Sequence, residues 1–274
     1  MKNQTLPLIQ ALGLTRQPFD KNLPLKHLFL SKQIKELFQQ LNHFLHRRGI
    51  ALITGEVGAG KSTTIRAFNE QLEKNLYDIA YIPDPTIGMR GILNSVAIQL
   101  NLEGGFFKWQ LIEKVKYNIE KNAADFNKTT LLIIDEAQLL STKTLEELRL
   151  FTNFKIDSLS PLNLILSAQP DLQKTIHLNS MKALAQRINC RYHLTGLDNS
   201  EAKPYISHHL NVAGRSDDLF TDDVIHEIFQ QAKGVPRVIN NLGYECLMEI
   251  YLQNKNIVDM PVLEKILLKY DVLG

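Results

Sequence analysis

The sequence predicts an α/β fold, a parallel sheet core followed by a helical C-terminal domain. Three observations lead there. Short continuous apolar runs, each ending in polar or glycine-rich residues, recur through the first two hundred residues. Such runs suit strands buried on both faces. Helical periodicity separates the runs. From about Asp198 the runs stop and only helical patterns continue.

The elements follow in order. The start of the chain is polar, without an apolar signal core, and Pro7, Pro18 and Pro24 break the segment to about Asn22. Ser31 suits a helix N-cap, and Leu37, Phe38, Leu41, Phe44 and Leu45 then keep helical spacing up to Gly49. Ile50–Ile53 reads as the first strand, and a helix is expected over Lys61–Lys74. Ile79–Ile82 reads as the second strand, closed by Pro83 and Pro85. Gly91–Leu100 and Lys108–Ala124 read as helices on either side of Gly104-Gly105. Thr130–Ile134 is the third strand, Thr144–Phe154 a helix, Leu162–Leu166 the fourth strand and Arg191–Leu194 the fifth. Helices over Glu201–Ala213, Asp222–Lys233, Pro236–Gln253 and Met260–Lys269 complete the chain. The expected division is 1–48 as an opening part of the core, 49–197 as the α/β core and 198–274 as the helical domain.

Composition narrows the function. The chain has 274 residues, 44% hydrophobic and 22% charged, with net charge +2. No apolar run reaches the ~18–20 residues needed to span a membrane, so a cytoplasmic protein without membrane partners is expected. Two cysteines far apart, Cys190 and Cys246, read as reduced thiols. His208-His209 reads as a helix-surface pair. The balance is too even for a strongly basic nucleic-acid binder. Basic residues nevertheless cluster early, with Lys2, Arg16, Lys21, Lys26, Lys32, Lys35, Arg47 and Arg48 against Asp20 and Glu36 alone.

Two motifs carry chemistry. Gly55-Glu56-Val57-Gly58-Ala59-Gly60-Lys61-Ser62, with Thr63 after it, is a phosphate-binding loop between an apolar strand and a helix. Its glycines let backbone amides surround phosphate oxygens, Lys61 balances their charge, and Ser62 offers a hydroxyl to Mg²⁺. Asp135-Glu136 ends the third strand, where ligands bind in open α/β sheets. Asp135 would serve the Mg²⁺ shell and Glu136 would orient and activate water. Together they point to an ATP hydrolase using Mg²⁺. Ser167 or Gln169, at the end of the fourth strand, would sense phosphate or align water. Arg187 or Arg191 would reach a neighbouring subunit's γ-phosphate. Arg237 opens a helix after Pro236, where a cation opposes the macrodipole, and contact with bound nucleotide is its expected purpose. Arg90 and Lys108, expected in loops, are candidate contacts to a DNA backbone, with Lys114 and Lys116 near the Gly104-Gly105 break.

Several stretches together resemble the AAA+ ATPases of the ExeA/GspA/TniB-like group. They are Thr54–Ser62 (TGEVGAGKS), Leu132–Leu140 (LIIDEAQLL), Leu145–Phe154 (LEELRLFTNF), Ala168–Leu172 (AQPDL), Leu184–Ile188 (LAQRI), Tyr205–Leu210 (YISHHL) and Gly234–Asn241 (GVPRVINN). The resemblance runs from about Gly13 to Lys265. It implies a P-loop core with a helical lid, Ser167/Gln169 as sensor 1, Arg237 as sensor 2 and Arg187 as arginine finger. It also implies a homo-oligomer, ring or filament, with sites between subunits. The family's usual Gly-Gln is Ala168-Gln169 here. Two functions fit this group. One is a transposition regulator, TniB- or TnsC-like, that assembles on duplex DNA and recruits or activates a transposase. The other is an ExeA/GspA-like ATPase of secretion or envelope assembly, acting on proteins without DNA. The lack of an apolar span, with the basic opening segment, leads the sequence to favour the first.

Overall fold

A computed structural model describes residues 8–20, 23–154 and 161–271. Lys2, Pro7 and Lys21 lie outside the described residues. The chain divides into two compact units.

One unit, Ile34–Val57 with Lys61–Leu194, holds the sheet. Its five strands are β1 (Ile50–Gly55), β2 (Tyr77–Ile82), β3 (Thr129–Ile134), β4 (Leu162–Ala168) and β5 (Ile188–Leu194). They lie in the order β2-β3-β4-β1-β5, all parallel. β1 and β4 are buried at every position, as their apolar composition requires of central strands with helices on both faces. The register sets Ile53 opposite Ser167 and Ile134 opposite Leu166, so β3 ends two residues short of β4 and the C-terminal ends of β1, β3 and β4 lie along the same edge. The next residues, the glycine loop and Asp135, therefore emerge along one edge of the sheet.

The helices of this unit are α1 (Lys32–Arg47), α2 (Lys61–Gln71), α3 (Gly88–Gln99), α4 (Lys108–Phe126), α5 (Thr142–Phe151), α6 (Asp171–Ile176) and α7 (Lys182–Arg187). The buried stripe of α1 is Leu37, Phe38, Leu41, Phe44 and Leu45, as its periodicity requires. Ser141 caps α5, its Oγ accepting from the Thr144 amide at 3.1 Å. Asn127, left-handed at φ 53°, closes α4.

The two edge strands are longer than their apolar runs suggest. β2 starts at Tyr77, because Asp78 is held by Asn122 Nδ2 at 2.7 Å and Lys128 Nζ at 3.0 Å. β5 starts at Ile188, alternating buried Ile188 and Cys190 with exposed Asn189 and Arg191. A strand solvated on one face carries no continuous apolar run. Arg90 and Lys108 are helical, in the first turn of α3 and at the start of α4, and not in loops.

The second unit combines residues up to Gln33, Gly58–Gly60 and Thr195 onward. The segment expected wholly in the α/β core thus divides near Gln33. Its helices are α8 (Ala202–Val212), α9 (Asp222–Ala232), α10 (Pro236–Gln253) and α11 (Met260–Asp271). Leu8, Leu12, Leu14 and Phe19 join the core of these helices, which explains the grouping. Lys32 Nζ pairs with Asp198 at 2.9 Å. Glu249 is buried on α10 and accepts from Gln253 Nε2 at 2.6 Å, Lys269 Nζ at 3.1 Å and Lys265 Nζ. These donors, Lys265 foremost, hold its carboxyl down to about 2.

His209 is buried and not a surface residue. It stacks on Phe19 with centroids 5.2 Å apart and meets Tyr205 edge-on at 4.6 Å. Burial, aided by His208, pushes its imidazole from 6.5 down to about 4. The native state therefore holds the neutral ring, and the unfolded chain binds the proton first as pH falls below 6.5. Stability lost through this residue amounts to about 2 kcal/mol by pH 5. His209→Leu should narrow the gap between urea midpoints at pH 7 and pH 5. An unchanged gap would show that the ring does not titrate this way.

Candidate functional site

The glycine loop runs from the end of β1 to the first turn of α2. Gly58 and Gly60 have φ of 88° and 98°, values that side chains rarely tolerate. Such a backbone turns successive amides inward, ahead of the positive end of the eleven-residue helix α2. Lys61, the first residue of α2, is only 7% exposed. Its ammonium donates to the carbonyls of Gly55 at 2.7 Å and Glu56 at 3.1 Å, which keeps it against the loop. Ser62 is exposed on the same turn.

Behind the loop, Thr54 is fully buried. Its Oγ1 accepts from Gln173 Nε2 at 2.7 Å and shares a 3.0 Å bond with His193 Nδ1. This knot joins the ends of β1 and β5 to α6.

Asp135 follows β3 and is 4% exposed. Oδ1 accepts from Ser167 Oγ at 2.7 Å and from the Glu136 amide at 3.0 Å. Oδ2 accepts from Tyr81 Oη at 2.9 Å. Burial first, then the Asp135 charge, pushes the Tyr81 phenol far above its ordinary value, so it remains a donor at any physiological pH. Glu136 adopts the left-handed region at φ 50°. Its Oε2 accepts from Gln138 Nε2 at 2.5 Å, and Gln138 Oε1 accepts the Gln169 amide at 2.9 Å. Ser167 thus meets Asp135, while Gln169 meets the turn after Glu136 through its backbone.

The donor set fits a magnesium-bound triphosphate. Inward amides, an ammonium and a helix start suit phosphate oxygens, and a hydroxyl with a carboxylate suits a hard divalent cation.

The other expected residues lie in different settings. Arg187 ends α7, and its guanidinium engages the end of α5, donating to Thr152 Oγ1 at 3.4 Å, to Arg149 O at 3.5 Å and to Asn153 Oδ1. Arg191 is exposed and donates to Ala185 O at 2.9 Å. Arg237 stands in the first turn of α10, its amide donating to Gly58 O at 3.3 Å within the second unit. Arg90 lies 4.8 Å from the ring centre of the exposed Phe106.

The three lysines near Gly104-Gly105 each have partners within the chain. Lys108 pairs with Glu147 at 2.9 Å and Lys114 with Glu103 at 3.5 Å. Lys116 is half-buried, 4.8 Å from the Phe154 ring centre, and donates to Asn153 O at 2.6 Å. Burial lowers its ammonium below the ordinary lysine value. Charge counting along a sequence misses such pairing because it ignores what folds alongside.

Sequence reasoning did not single out Tyr81, Gln138 or Gln173. Gln138 lay within reach, two residues past Glu136 in LIIDEAQLL. Tyr81 and Gln173 carry no local signal, since their partners are 54 and 119 residues away.

Residues 43–176 match the family described as AAA domain. General secretion pathway protein A of Aeromonas hydrophila is 34% identical over 250 residues, covering 90% of this chain. The chain spans 45% of the length of that relative. Among solved structures, the ORC2 protein of Aeropyrum pernix, in its ADPNP-ADP complexes, superposes with a TM-score of 0.66 at 16% identity. That match covers 90% of this chain and 70% of the other. Cdc6p of Pyrobaculum aerophilum gives 0.65 at 14% identity, covering 88% and 67%. No helix among the described residues is long and apolar enough to cross a membrane. Residues 43–176 therefore match an AAA domain, on a fold shared with these P-loop structures, and the chain is similar to General secretion pathway protein A over 90% of its own length.

Proposed function

We propose that this chain is the Mg²⁺-dependent ATP hydrolase of a secretion or envelope-assembly system, its nucleotide cycle acting on partner proteins. The observation that carries this reading is 34% identity, across 90% of the chain, to a protein named for general secretion. Because the chain spans under half of that relative, the position of its last residue does not separate this reading from the transposition one. The expectation drawn from the lack of an apolar span therefore loses its force.

In this reading, the amides of Gly55, Glu56, Val57, Gly58, Ala59, Gly60, Lys61, Ser62 and Thr63 bind the phosphates of ATP, and Lys61 balances their charge. Ser62 and Asp135 hold Mg²⁺, which when bound supplies Lewis-acid polarisation of the γ-phosphate. Glu136 orients the attacking water and takes its proton. Gln169 and Arg237 contact the γ-phosphate side of the nucleotide. Arg187 serves a neighbouring copy in a homo-oligomer, and leaves the end of α5 to do so.

A second reading keeps the same chemistry but has the chain assemble on duplex DNA and engage a transposase. One surface feature favours it. Arg90 is exposed, its guanidinium 4.8 Å from the ring centre of the exposed Phe106, and an exposed arginine suits a phosphate backbone.

Three outcomes are expected. Lys61→Ala should weaken ATP binding by roughly 10- to 100-fold, about 1.4–2.8 kcal/mol, by calorimetry; unchanged affinity would remove the loop from the site. Glu136→Gln should retain binding while kcat falls roughly 10²- to 10⁴-fold, and a near-normal turnover would exclude its role. Hydrolysis and assembly with a non-hydrolysable ATP analogue, followed by electron microscopy, should be indifferent to duplex DNA. Rings or filaments that form only on DNA would replace the secretion reading with the transposition one.

A further inference from the structure

Gln138 joins two parts of the site, Glu136 after β3 and Gln169 after β4. It is half-buried in a 3-10 turn, Ala137–Leu139. Both ends of its amide are engaged, Oε1 with the Gln169 amide at 2.9 Å and Nε2 with Glu136 Oε2 at 2.5 Å. Chemistry fixes this orientation. A backbone N–H only donates, so the oxygen end must face Gln169, and the NH₂ end must then face the carboxylate. Rotating the amide by half a turn would oppose donor to donor and oxygen to oxygen.

The backbone is shaped for this contact. Glu136 is a non-glycine residue at φ 50° and ψ 35°, a conformation that costs of order 1 kcal/mol. The reversal folds the next turn back, so that a side chain two residues on reaches its own neighbour's carboxylate. Gln169 in turn begins the segment that leads through α6 to Gln173, whose amide holds Thr54 at 2.7 Å just before the glycine loop. A polar path thus runs from Glu136 to the base of the loop.

We propose that Gln138 is a positioning residue for hydrolysis, which engages Glu136 Oε2 and thereby assigns proton acceptance to Oε1. The inference rests on the reading of Glu136 as the group that takes the water's proton. A proton on Oε2 would face the Gln138 NH₂ hydrogen, whereas Oε1 has no such conflict with Gln138. As the water oxygen bonds to the γ-phosphorus, its proton passes to Glu136 Oε1. The bond from that phosphorus to the β,γ-bridging oxygen breaks, and the bridging oxygen keeps the electron pair. Gln138 also ties Glu136 to the end of β4, so a shift of Gln169 turns the carboxylate with it.

The test is steady-state ATP hydrolysis by the full chain with Mg²⁺ from pH 5.5 to 8.5, with nucleotide affinity measured in parallel. Gln138→Leu keeps the side chain's bulk but removes both bonds. Its kcat should fall about 10- to 100-fold, with KM and nucleotide affinity within about twofold. Gln138→Glu keeps an oxygen for Gln169 but sets a second carboxylate against Glu136. It should be slow at high pH and recover relative to the unaltered chain as the introduced carboxyl protonates and donates again. Three results would overturn the proposal: an unchanged kcat in Gln138→Leu, a loss of affinity matching the loss of kcat, or a pH-independent ratio for Gln138→Glu. If the unaltered chain hydrolyses no ATP, the function reading fails and this inference with it. If Glu136→Gln abolishes hydrolysis and Gln138→Leu does not, this inference alone fails.

Discussion

Asp135 is a carboxylate buried at the end of a central strand, and an ion in that position costs several kcal/mol unless hydrogen bonds replace its lost water. Here the replacements come from three strand ends: Tyr81 on β2, Ser167 on β4 and the amide that follows Asp135 itself. Each bond needs its strand to finish at the right height. The parallel register that aligns Ile134 with Leu166 and Ile82 with Ile134 meets that need. A slip of one residue in any pair would turn Ser167 or Tyr81 to the other face. The sheet's register and the site's acid are therefore one constraint.

Along the same edge, the side chains of the site are held by hydrogen bonds to near neighbours. The loop's lysine sits against its own carbonyls, and Glu136 sits against Gln138. Amide side chains supply the links, Gln138 between β3 and β4 and Gln173 between α6 and β1. Neutral amides suit this purpose because each offers a donor and an acceptor at fixed spacing without adding charge beside two carboxylates. Arg187, proposed to serve a neighbouring copy, is engaged with the end of α5.

The helical unit is organised differently. Among the described residues it has only one isolated bridge, Phe220 with Val258, so apolar periodicity and a few buried polar groups specify its packing. Glu249 is compensated by two lysines and a glutamine. His209 is handled by leaving it neutral among aromatic rings, with its Nδ1 lacking a hydrogen-bond partner. The opening segment supplies Leu8, Leu12, Leu14 and Phe19 to this core, and their irregular spacing gave no sign of which helices they would meet.

What the amino-acid sequence determined by itself is local. Continuous apolar runs dictated the central strands, because a strand covered on both faces has no polar position to spare. Glycine spacing before Lys61 dictated a phosphate loop, because only that backbone turns its amides inward. Pro236 and the periodicity after it marked α10 to the residue. What only the tertiary structure decided is pairing between distant positions. It buried His209, neutralised Lys108 with Glu147, and extended the edge strands through polar residues. It also brought Tyr81 to Asp135 and Gln173 to Thr54. Hydrogen bonds and charges act over a few ångströms in space, and a sequence records separation along the chain instead.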